Sequence, residues 1–391
     1  MTATVALSDL RAVTREVDPP ADVLAAFGED GTAWLHDGAE FVTAGVAARV
    51  AAQDAVVALA AIEHDADPAL PGAGPRAIGA LHFDPNEPAE LVVPSRIVGR
   101  TSDGRGWVTE VGTPARSNPS TADEPTRFSV AALCSREEWS AAIAEVLAAI
   151  DGGEVDKVVL ARAVEVEGDR PFDPQLLLAR LRLQQPGCFV YGADGMFGAT
   201  PELLVARFGR HVVSRPMAGT APAGSGALDA LRGSAKDAWE HRIVVDAIVS
   251  TLHRSCTEVD AAAAPEVDEF ADVAHLATPI HGTLADPAPD ALAMARALHP
   301  TPAVGGAPTD GALELIARLE GAERGRYAGP VGWVDARGDG EWAVALRGAS
   351  IDGARARLHA GAGIVAGSDP EQEWRETEAK LDPMLRALVR P

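Results

Sequence analysis

Apolar and polar positions along the chain fall into short blocks whose period changes often, and the changes mark its elements. TAWLHDGAEFVTAG (32–45) alternates like a hairpin, with Asp37-Gly38 at the turn. VAARVAAQDAVVALAAI (46–62) predicts an Ala-rich helix, and the breaker-rich stretch 100–126 predicts a surface loop or hairpin. The pattern strengthens at Ser135, where Ser135-x-x-Glu138 opens a helix over 135–151 as a capping box. A β-branched strand follows at 157–167, then a helix at 173–184 with Asp173 as N-cap and Pro174 at its first position. Short strands are predicted at 188–192, 196–199, 203–208 and 211–214. A long helix runs from Ser234 to about Cys256, with further helices over 288–298 and 309–320. The chain ends as a meander of 329–336, 341–351 and 354–365, closed by a helix from Asp369-Pro370 to about Val389.

Sequential strands joined by hairpins and interrupted by single helices argue for an antiparallel α+β fold rather than a doubly wound sheet. Neither a repeat nor a linker divides the 391 residues. They read as one unit, 1–391, with 1–130 a less marked N-terminal lobe and 131–391 the motif-bearing core. With 47% hydrophobic residues but only 5% aromatic, Ala, Val and Leu must fill a large core. Cys134, Cys188 and Cys256 are scattered without a CxxC pair, so they read as small buried hydrophobes. The N-terminus does not resemble a signal peptide, and no run approaches the roughly 20 apolar residues of a membrane span. The expectation is a soluble cytoplasmic protein. The net charge of −23 disfavours nucleic acid and anionic membrane surfaces as partners. It points, on its face, to a cationic substrate, although net charge describes solubility and steering rather than a site.

Four carboxylates form two i, i+3 pairs on predicted helices, Asp237/Glu240 and Glu373/Glu376, so each pair shares a helical face. Two such helices facing each other could supply a hard cation such as Mg2+. Solvated acidic faces are the alternative, with Asp237 as the capping partner of Ser234 and Glu373 as a first-turn acid. Lys157 opens an apolar strand, where it is either a general base or a strand-end lysine reaching for water. Glu202 follows a Thr-Pro bend in GATPELLV, as a general acid or a satisfied structural carboxylate. Arg347, inside an apolar strand, needs a substrate carboxylate or a structural ion pair. HAGAGIV (359–365) allows close backbone approach to an anion but is no nucleotide-binding motif.

Ten stretches in order resemble the chorismate-utilising enzymes, and within them the isochorismate synthases of siderophore and menaquinone pathways. They are DKVVLAR (156–162), GATPELLV (198–205), PMAGT (216–220), SAKDAWEHRIVVD (234–246), HLATPIHGTL (275–284), HPTPAVGGAP (299–308), ERGRYAGPVGW (323–333), ALRGA (345–349), HAGAGIV (359–365) and DPEQEWRETEAKL (369–381). The resemblance implies large antiparallel sheets wrapped by helices and an Mg2+-dependent site between them. By resemblance, Lys157 activates water for attack at C2 of chorismate and Glu202 protonates the departing C4 hydroxyl. Glu240 and Glu376 match metal ligands, with Glu373 and Asp237 in support. Tyr327, Arg347, Lys380 and the backbone of Gly361, Ala362 and Gly363 match positions that hold the substrate carboxylates. Gly219 and Thr220 line the pocket, and His275 matches a histidine of its wall.

Within the family, Lys157 argues for water rather than the ammonia of anthranilate synthases, so no obligatory amidotransferase is expected and a monomer is. Ala218 in PMAGT replaces the lysine nucleophile of aminodeoxychorismate synthases. Ala303 stands where relatives that go on to eliminate pyruvate, the salicylate synthases, tend to carry threonine. A non-catalytic binding subunit is the reading from another class, and the full set of Lys157, Glu202 and the four acids speaks against it.

Overall fold

The computed structural model describes residues 7–389, apart from 37–38, 66–69, 71, 116–122, 225 and 272. Among the described residues, one large sheet of 20 strands and a second of three are accompanied by eight α-helices. Apart from Arg11–Val17 beside Glu63–Asp65, the strand pairings are antiparallel. The expected α+β class, antiparallel sheets wrapped by helices, is what the chain adopts. None of the helices is long and apolar enough to cross a membrane.

The N-terminal third is sewn into the rest by hydrogen bonds. Ala33–Leu35 pairs with Phe189–Ala193, and Arg76–Ala80 pairs with Pro330–Asp335. One core cluster runs through both parts, with Trp34, Ile78 and Trp107 packed together with Tyr191, Trp333 and Trp342. The hairpin at 32–45 is present as Ala33–Leu35 against Ala39–Ala51, while its Asp37-Gly38 turn lies outside the described residues.

The helix expected over 46–62 is half strand. Ala39–Ala51 pairs along its length with Glu90–Thr101 and bulges between Val46 and Ala48; the chain turns helical only at Ala55–Ala60. Cross-strand pairing overrides the helix propensity of alanine, which amounts to only tenths of a kcal/mol per residue. The predicted single strand 341–351 is also two, Gly340–Val344 and Gly348–Asp352. The break holds Arg347 at φ 50°, left-handed backbone that a non-glycine residue seldom occupies. The helices begin as expected: Ser135 and Glu138 form a reciprocal capping box, Asp173 caps Pro174–Gln184, and Ser234 caps Ala235–Leu252.

The site rests on five elements. The strand Lys157–Gly168 pairs over ten residues with the strand Arg355–Ile364. The helix Ala235–Leu252 and the C-terminal helix Pro370–Val389 bring the acids, while Met217–Pro222 belongs to the three-stranded sheet.

Candidate active site

A cleft opens where these elements meet, and twelve of the sixteen residues singled out in the sequence wall it. Glu202, Gly219, Thr220 and His275 stand on one side. Glu240, Glu376, Lys380, Gly361 and Gly363 form another, and Ala303, Tyr327 and Arg347 complete it. Lys157, Asp237, Glu373 and Ala362 are not in its wall. Ala362 faces the core, because alternate residues of a strand point to opposite faces. Lys157 lies directly behind the wall. A Cβ on Gly363 would stand 2.3 Å from Glu240 Oε1 and 3.0 Å from Lys157 Cε, so only glycine leaves the two side chains room to meet there.

Lys157 is fully buried, which removes the strand-end alternative in which it reaches for water. Its Nζ lies 2.8 Å from Glu240 Oε1, as an ion pair whose angles miss those of a hydrogen bond. The other acids have lysines too. Lys236 donates to Glu373 at 2.7 Å, and Lys380 donates to Glu376 at 2.5 Å and to the Gly361 carbonyl at 2.9 Å. Burial raises the carboxyl pKa values of Glu373 and Asp237. Glu376 adds to the effect at Glu373; Glu240 and Glu376 add to it at Asp237.

Among the described residues, no three Asp, Glu, His or Cys side chains converge into a group that could hold a metal ion as they stand. The donor set nevertheless suits a hard divalent cation in kind, since it is all carboxylate oxygen. It suits one in charge as well, because the acids repel one another and lysines supply the counter-charge.

Across the cleft, Arg347 Nη2 donates to His275 Nε2 at 2.9 Å. The other ring nitrogen must then carry the proton, and Nδ1 sits 3.0 Å from the Gly219 carbonyl. Burial, with help from Arg347 and Lys380, lowers the His275 pKa to about 3, so this histidine is a neutral strut. It aims the Arg347 guanidinium, whose φ already departs from ordinary strand geometry. Gly219 needs its φ of +76° at a bulge in its strand, and a Cβ there would lie 2.9 Å from Asp237 Cβ. Tyr327 is buried with its hydroxyl at the Gly361 backbone, and burial pushes its pKa up to about 12.

Glu202 is 4% exposed, and burial raises its pKa to about 7 against the opposing pull of Lys157, Lys380 and Arg347. A carboxyl poised there can hold or release a proton near neutrality.

Among the wall residues given no role from the sequence are Met217, Arg324 and His359. Arg324 is a buried brace. It pairs with Glu320 and donates to the carbonyls of Val304 and Val159. Its spacing four residues after Glu320 was a readable signal. His359 opens the quoted stretch HAGAGIV but was given no role of its own; strand pairing brings it to the cleft.

Comparison with known proteins agrees with this geometry. A family profile described as "Chorismate binding enzyme" matches residues 105–389. The isochorismate synthase DhbC of Bacillus subtilis is 36% identical over 80% of this chain and 81% of its own length. The isochorismate synthase EntC of Escherichia coli is 34% identical over 80% and 81%. The structure of MenF, the menaquinone-specific isochorismate synthase of Escherichia coli, superposes with a TM-score of 0.82 at 26% identity, covering 97% of this chain and 95% of that one. The chain belongs to the chorismate-binding enzyme family.

Proposed function

We propose that the protein is an Mg2+-dependent isochorismate synthase, converting chorismate to isochorismate. One observation carries the reading. A buried amine and a buried carboxyl whose pKa is about 7 lie within electrostatic reach of each other at a cleft that also presents Arg347 and Lys380. Base, acid and anion-binding groups are what this isomerisation requires.

Arg347 and Lys380 bind the carboxylates of the dianionic substrate, with Tyr327 and the Gly361–Gly363 backbone orienting the ring. Lys157, in its neutral form, takes a proton from water as the water oxygen forms a bond to C2. Both ring double bonds shift, the C4–O bond breaks, and Glu202 delivers its proton so that the hydroxyl leaves as water. The enzyme regains its starting state when a proton returns from Lys157 to Glu202 through solvent. Glu240 and Glu376 would hold the metal ion, with Glu373 and Asp237 in support; when bound, the ion neutralises these acids and draws electron density from the ring carboxylate.

Water as nucleophile leaves no need for an amidotransferase partner, and the chain is read as a cytoplasmic monomer. The product would feed siderophore or menaquinone synthesis; the menaquinone-specific role named for MenF supports the second. Incubation with chorismate and Mg2+, followed by chromatography, tests the reading. Isochorismate alone is expected. Salicylate with pyruvate would replace it with salicylate synthase, and chorismate bound without turnover would replace it with a binding subunit.

A further inference from the structure

Behind the cleft lies a second cavity, of about 160 Å³. It occupies a gap in the edge of the strand Lys157–Gly168. One end of that edge pairs with Gly306–Ala307 and the other with Phe128–Ala132. Between them no further strand is paired among the described residues; instead the Ala161 N–H donates to Glu320 Oε1 at 2.7 Å. Trp139, Leu133, Leu160 and Leu319 give the cavity apolar walls.

Two polar groups bound it. Arg162 is 5% exposed, yet no carboxylate of the described residues lies within ion-pair reach of it. Its Nε donates to Thr377 Oγ1 at 2.7 Å, and its guanidinium lies 3.8 Å from the Trp374 ring centroid. The carboxylate that bears on it, Glu378, is occupied by Trp374 Nε1 and Arg136. A buried guanidinium without a counter-ion is costly unless something supplies one. The second group is His359, which walls both cavities. One ring nitrogen donates to the Glu323 carbonyl, while Nε2 is buried without a partner. That nitrogen is left as an acceptor.

We propose that this cavity binds a hydroxylated aromatic monocarboxylate, its carboxylate on Arg162, its ring among the apolar walls and its hydroxyl donating to His359 Nε2. A monoanion is specified because Glu138 and Glu320 also line the cavity, each already held: Glu138 in the capping box and Glu320 by Arg324. They repel the second charge of a dianion. The site reports to the cleft, because His359 stacks on Tyr327 with ring centroids 5.1 Å apart. This last consequence rests on the isochorismate synthase reading; the binding itself does not.

The test is calorimetry on the full chain with 2-, 3- and 4-hydroxybenzoate, benzoate and chorismate. At least one hydroxybenzoate should bind saturably, about fivefold tighter than benzoate, the worth of one neutral hydrogen bond. Arg162→Met should weaken it at least about tenfold. Should Arg162→Met fail to fold, Ala142→Leu, which fills the cavity from its helix, should remove binding by itself. Arg347→Ala, in the catalytic cleft, should leave it unchanged, and bound hydroxybenzoate should lower turnover without competing with chorismate. Absence of saturable binding, survival in Ala142→Leu, or loss in Arg347→Ala would each overturn the second site. A chain that binds hydroxybenzoate but does not turn over chorismate would sink the catalytic reading and leave this site standing.

Discussion

Glu202 is a protonated acid near neutrality because its carboxyl has lost water and the nearby cations do not fully replace it. Two consequences separate its catalytic role from a structural one. As a general acid it works protonated, so turnover should fall as pH rises through about 7, and Glu202→Gln should lose about 10²–10⁴-fold in kcat. Its folded-state pKa lies above the ordinary value of 4.5, so the stability it contributes is greatest below pH 4.5 and is lost as pH rises through about 7. Glu202→Gln removes that loss. The inactive variant should therefore be more stable than the parent at pH 8, by up to about 3 kcal/mol in chemical denaturation, with the gain vanishing toward pH 4.5. A variant less stable at pH 8 would show that the carboxylate is satisfied and structural. Lys157→Ala should abolish turnover while chorismate still binds in calorimetry; retained turnover would remove Lys157 as the base.

Helices and strands set the distances on which this chemistry depends. The acids sit on two helices, and the space between their side chains and Lys157 is defined by a glycine on a strand. Gly363→Ala would drive a methyl group against Glu240, so kcat should collapse while circular dichroism stays near the parent's. Unchanged activity would mean that the Lys157–Glu240 contact is dispensable. Away from the site, the capping box is a local device: Ser135→Ala should cost about 1 kcal/mol of stability without changing activity. Helix starts of this kind were legible in the sequence because their signals lie within four residues of one another. The strand Ala39–Ala51 was not, since its stabilising partner is Glu90–Thr101, some forty residues on. The division of 341–351 into two strands was equally hidden, because Arg347, where the chain bends, bonds His275 from another sheet.

At the scale of the whole molecule, the N-terminal third is proposed as part of the same folding unit. A chain beginning at residue 131 would lack the partners of Phe189–Ala193 and Pro330–Asp335, and should be recovered as insoluble or unfolded protein. Recovery of an active fragment would show instead that the lobe is separable. If Glu240 and Glu376 hold Mg2+, the ion ties one helix to the other and stabilises the native state alone. Adding Mg2+ should then raise Tm in the parent but not in the Glu240→Gln, Glu376→Gln double variant; equal shifts in both would return those acids to a solvated face.

The cationic substrate suggested by a charge of −23 is not what the cleft is built for. Close by, Lys157 offsets Glu240 and Lys380 offsets Glu376, and Arg347 adds a positive charge that counts for more than distant surface acids because the low-dielectric interior magnifies what is near. The sequence by itself determined the capped helix starts and the antiparallel class, and it singled out the residues proposed to carry the chemistry, since these signals reside in local spacing and in ordered motifs. Only the tertiary structure decided that Lys157 is buried and paired, that Glu202 is poised near pH 7, and that His359 stands between two cavities. Each of these depends on desolvation and on neighbours tens to nearly two hundred residues away, and no local pattern along the chain encodes them.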